Sequence, residues 1–104
     1  MKYTEEQILA KAKKVMKDVK GKFYSEDCVE GALYQKADKI ISGKNKNKIM
    51  PTWNVSIKAI FNNIDILTIS DETGEPLFYM NFNTLFFDIE KDERGYFRVG
   101  LPRD

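Results

Sequence analysis

The side chains with most capacity for chemistry are eight carboxylates between positions 65 and 93: Asp65, Asp71, Glu72, Glu75, Asp88, Glu90, Asp92 and Glu93. Carboxylates at such spacing could form an acid/base pair or hold a hard divalent cation. The run Asp71-Glu72-Thr73-Gly74-Glu75 lacks the additional acidic ligands and the distal glutamate of a calcium loop. Turn carboxylates more commonly satisfy local amides and keep hairpins soluble. The chain has no histidine and a single cysteine, so neither a Ser-His-Asp nor a Cys-His nucleophile can be built, and no zinc set exists. Cys28 falls in the first turn of an expected helix, where the dipole could acidify a thiol. A buried structural role fits a free cysteine better. The six glycines are scattered, which leaves no phosphate-binding loop. No catalytic residue, metal or cofactor is assigned, and the expectation is a protein that is not an enzyme.

Charge is distributed unevenly. Residues 1–50 hold 12 Lys and 7 Asp/Glu, whereas residues 51–104 hold 5 Lys/Arg and 9 Asp/Glu. The basic first half invites a nucleic-acid reading, but it contains no arginine, the preferred residue for bidentate phosphate and base recognition, and nucleic acid is not the expected partner. A lone cysteine suits a reducing cytoplasm. The amino-terminal stretch has no apolar core of a secretory signal, and no run approaches the roughly 20 apolar residues of a membrane span. The expected location is therefore cytoplasmic, with no membrane association.

The elements that position the carboxylates can be read from periodicity. Thr4 and Gln7 form a capping box, and Ile8, Ala12, Val15, Met16 and Val19 make a helical stripe ending at Gly21, which predicts a helix over 4–20. Ser25 as N-cap and the spacing of Val29, Ala32, Leu33, Ala37, Ile40 and Ile41 predict a second helix over 25–42. Lys44-Asn45-Lys46-Asn47-Lys48 reads as a basic loop. From Trp53 onward the chain alternates as a β-meander over 52–99. Trp53, Val55 and Ile57 form its inward row, Asn62-Asn63 a type I′ turn, and strands lie near 64–70, 76–82, 85–90 and 96–99. The tail 100–104 is expected to fray. The fold class is α+β in one domain, 1–104, with two helices on one face of a curved antiparallel sheet of four to five strands. Large apolar groups fall on both faces of the later strands. The second face must then be self-covered, a ligand cavity or an interface.

The phrase Trp53-x-Val55-x-Ile57 followed by Asp71-Glu72-Thr73-Gly74-Glu75-Pro76-Leu77 resembles the strand-turn-strand phrase of PepSY-like domains over residues 53–80. Such domains are typically exported, and the chain departs from them in lacking an export signal. In general style the chain is similar to the small immunity proteins of bacterial toxin systems: short, α+β, without catalytic motifs, often with an acidic patch. That resemblance implies a non-enzymatic protein-binding domain that occludes a basic toxin domain but carries over no residue; the clustering of carboxylates in the acidic second half itself makes Asp71, Glu72, Glu75, Asp88, Glu90, Asp92 and Glu93 the expected partner surface. The alternative expectation is a small-molecule-binding or carboxylate-based enzyme domain with a cavity between helices and sheet.

Overall fold

Thr4 starts the one α-helix found among the described residues in the way its neighbours dictate. In the computed structural model, which describes residues 1–101, Thr4 Oγ1 accepts the Gln7 N–H at 3.1 Å and Gln7 Oε1 accepts the Thr4 N–H at 2.9 Å. This closes the capping box. Helix α1 (Glu5–Lys20) ends at Gly21, whose φ of 54° provides the stop. Two short 3₁₀ turns, Gly21–Phe23 and Glu26–Cys28, lead into six strands: β1 (Val29–Lys39), β2 (Ile49–Lys58), β3 (Ile64–Ser70), β4 (Pro76–Met80), β5 (Phe86–Asp92) and β6 (Gly95–Arg98). They form one antiparallel sheet in sequence order. The class is α+β, with one α-helix rather than two and six strands rather than four to five among the described residues. The part of the expected fraying tail at 102–104 lies outside the described residues.

The core sits between α1 and one face of the sheet. Ile8, Ala12, Val15, Met16 and Val19 of α1 form one buried cluster with Trp53, Val55 and Ile57 of β2, Leu67 and Ile69 of β3, Tyr79 and Tyr96. The inward row expected for Trp53, Val55 and Ile57 is therefore present.

The expected helix over 25–42 is replaced by a 3₁₀ turn and strand β1. Two register shifts in β1, between Val29 and Gly31 and between Gln35 and Asp38, explain the misreading. A bulge places two residues opposite one and breaks the period of 2. The apolar positions then recur at spacings that imitate a helix. Ala32 and Tyr34 pair with Val55 and Trp53 on the core face, while Leu33 points the other way and is 67% exposed. The β2–β3 turn is of the expected kind but one residue early. Phe61 and Asn62, rather than Asn62 and Asn63, take positive φ (55° and 62°).

Two consequences of the meander organise the surface. First, alternation puts Asn54, Ser56, Ile66, Thr68, Phe78, Met80, Phe86 and Asp88 on the face away from α1. The β1–β2 connection, residues 40–48, crosses part of this face and reaches Asp88, where Ser42 Oγ donates to Oδ1 at 3.3 Å. Ile40 becomes fully buried there, outside the main core. The second face is thus self-covered near this arm and bare elsewhere. Second, connections alternate between the ends of the sheet. The β1–β2 arm and the β3–β4 and β5–β6 turns share one end, and each of them carries charged residues. The β2–β3 and β4–β5 turns share the other.

Candidate functional site

At the charged end, β4 and β5 part company. Their ladder runs from Met80–Phe86 to Phe78–Asp88 and no further. The register of β4 against β3 shifts between Phe78 and Pro76, which carries the start of β4 out of line, while β5 continues alongside β6. The gap is a cleft of about 460 Å³, walled on its third side by residues 42–45 of the arm. Glu75, Asp88 and Glu90 line it, joined by Lys44, Lys91 and Tyr96.

Glu75 is held in place from α1 and β6. Tyr96 Oη donates to Glu75 Oε1 at 2.6 Å, and Lys11 Nζ donates to Oε2 at 2.8 Å and to Tyr96 Oη at 3.3 Å. Partial burial pushes the Glu75 pKa up, but the bonds from Lys11 and Tyr96 outweigh it and hold the carboxyl below its ordinary range. Its bond with Glu75 raises the Lys11 ammonium, while burial first and the Glu75 bond second raise the Tyr96 phenol. At neutral pH the three are a carboxylate, an ammonium and a phenol, a fixed charged cluster rather than a proton relay. Gly43, with φ of 86°, lets the arm approach Asp88, since a Cβ there would lie 3.0 Å from Asp88 Oδ1.

The structure divides the carboxylates expected at a partner surface. Glu75, Asp88 and Glu90 share the cleft. Glu72, Asp92 and Glu93 are exposed on the neighbouring turns at the same end, with Asp92 Oδ1 accepting the Arg94 N–H at 2.8 Å. Asp71 is a correction. It is 3% exposed and accepts the Lys2 N–H, the Tyr3 N–H and the Trp53 indole N–H. Those bonds leave it no edge to offer a partner. The signal for this was available in Trp53, since a buried indole N–H needs an acceptor.

Asp65 is likewise internal. It accepts a short hydrogen bond from Tyr79 Oη, and the Phe82 N–H at 2.9 Å. Burial first, then this carboxylate, pushes the Tyr79 phenol strongly upward. A carboxylate therefore does stand beside Tyr79 and Phe82, but it is hydrogen-bonded on both oxygens and does not line the cleft. Among the described residues no group of three or more His, Cys, Asp or Glu is placed to hold a metal ion. Sequence reasoning missed Lys11, Tyr96 and the arm, because each joins the cleft across the fold rather than along the chain.

Among the described residues no helix is long and apolar enough to cross a membrane. Compared with known proteins, the chain matches no family model, no curated protein and no solved structure.

Proposed function

We propose that this chain is a non-enzymatic protein-binding domain whose charged end meets a basic partner, with neutralisation of a toxin by occlusion as its most specific form. The observation that carries the reading is the convergence of Glu75, Asp88 and Glu90 on one cleft, with Glu72, Asp92 and Glu93 exposed around it. A cleft of this size lined by acids admits a lysine or arginine side chain, and the exposed acids steer its approach. Lys44 and Lys91 in the same wall would reject a partner whose positive charge is misplaced.

The test is association kinetics with a partner captured from the native host, at low and high ionic strength. Glu90→Lys with Glu93→Lys should slow association about tenfold at low salt and flatten its salt dependence, because rim charges act mainly on encounter. Unchanged low-salt association would remove the acidic end from the interface. The second reading, a small-molecule site, rests on the volume of the cleft, which lies within the range of ligand pockets. A small cation that protects Glu90 and Asp88 in an NMR titration, without any protein partner, would favour it.

A further inference from the structure

The opposite end of the sheet has the contrary character. Its two turns, Ala59 to Ile64 and Asn81 to Phe87, contain no charged residue, in a chain that is 32% charged. Ile60, Phe61, Ile64, Phe82, Leu85 and Phe86 lie there side by side, all between 38% and 89% exposed. Phe61 is the extreme. It is the most exposed of them and sits at φ of 55°, a left-handed conformation that is strained for a bulky aromatic. Asn62 beside it takes the same conformation at φ of 62°, which asparagine tolerates and glycine adopts freely. The turn accounts for the positive φ but not for an almost fully exposed aromatic at a position where asparagine or glycine would serve.

The same apolar surface continues onto the bare part of the second face. There a groove of about 370 Å³ is lined by Leu33, Ile66, Phe78, Met80 and Phe86. Phe78 and Phe86 meet edge-on at 5.8 Å between ring centroids. The groove has room for one aromatic side chain; it runs from Phe86, at the Phe61 end, across the outer face to Asp38, Lys39 and Ile41 by the arm.

We propose that two copies of this chain associate about a two-fold axis at this end, the Phe61 ring of each seated in the groove of the other. Three observations select a second copy as the occupant. One chain carries both the projecting ring and the groove, and a two-fold axis satisfies both contacts at once. The six turn residues expose on the order of 600 Å². With the groove rim this approaches the roughly 800 Å² per partner of a stable interface. A bilayer fits less well: the groove also presents Asn54, Ser56, Asp38 and Lys39, and the two apolar turns carry no cation for an anionic headgroup.

The experiment is sedimentation equilibrium of the full chain from low to high micromolar concentration. Wild type should show a reversible monomer–dimer equilibrium. Phe61→Gly, which relieves the backbone and so retains the fold, should weaken the dimer by at least about thirtyfold, as loss of a central anchor does. Met80→Glu, in the groove, should do the same from the other side of the contact. Glu90→Lys should leave the dimer intact, which keeps this result separate from the test of the acidic end. A chain that stays monomeric at every concentration, or a dimer indifferent to Phe61→Gly, overturns the proposal. So does a monomer that binds phosphatidylcholine–phosphatidylglycerol vesicles through Phe61, which would assign the surface to a membrane.

Discussion

The Trp53 indole N–H donates to Asp71 Oδ1 at 2.8 Å, joining β2 to the β3–β4 turn through a buried carboxylate. The Lys2 N–H donates to Oδ2 at 2.7 Å and the Tyr3 N–H to Oδ1 at 3.1 Å, so the same group also ties down the segment that leads into α1. Asp71→Ala would leave an indole and two backbone donors without their acceptor. The expected loss is about 2–4 kcal/mol, from the cost of unsatisfied buried donors, read as a shift in the urea midpoint without change in slope.

This carboxylate also sets a pH dependence. Burial pushes its pKa up, but the hydrogen bonds from Lys2, Trp53 and Tyr3 outweigh burial, and the net shift is downward. A depressed folded-state pKa means that the unfolded chain takes up the proton first. The stabilisation is therefore fully present above the ordinary aspartate value of about 3.9 and is lost as pH falls through the lower folded-state value. In acid titrations of stability, Asp71→Asn should show a shallower loss over that window than wild type. Parallel curves would mean that another carboxylate governs acid unfolding.

Leu33 and Leu67 separate the two faces. Leu67 is fully buried beneath α1, and Leu67→Ala should cost about 2–5 kcal/mol. Leu33 stands on the outer face, and Leu33→Ala should fall within about 0.5 kcal/mol in the monomer. Equal losses in denaturant unfolding would place both side chains in one core.

Tyr96 and Lys11 hold Glu75 together. With Tyr96→Phe the carboxylate loses its phenol donor, and its pKa should move up toward the ordinary glutamate range, as followed by NMR titration of the Glu75 side chain. Lys11→Met should move it in the same direction. An unmoved titration in both variants would show that the cluster does not persist in solution.

Cys28 is buried in the core, where desolvation pushes its thiol pKa up, against the pull of Lys20. Alkylation at neutral pH should be slow in the folded protein and fast in denaturant. Rapid modification of the native chain would contradict this burial.

The sequence made α1 legible down to its caps, because Thr4, Gln7 and Gly21 act locally. It made the meander legible from Trp53 onward, because strict alternation survives there. It failed at β1, where two bulges scrambled the alternation of Val29, Ala32, Leu33 and Ala37. Bulges break the period of 2, and Gly31, at the first of them, lies within the span 25–42 expected as a helix. The clustering of carboxylates in the later turns was legible, but the distinction between Glu75, in the cleft, and Asp71, inside, was not. Four positions apart in one turn, they differ only in what Trp53, Lys2, Tyr3, Lys11 and Tyr96 bring from elsewhere.

The bonds from Lys2 and Tyr3 to Asp71 span 69 and 68 positions, and this bears on the order in which the chain acquires its structure. The sheet can grow by one hairpin after another, since every strand pairs with its predecessor, and such local closures are fast. A 16-residue helix is marginal in water by itself. On a ribosome, α1 emerges before any of the surface it covers, and its acceptor Asp71 is made after three strands have formed. An element synthesised before the sheet is therefore secured only after most of that sheet, and until Asp71 arrives its apolar stripe stays open to chaperones.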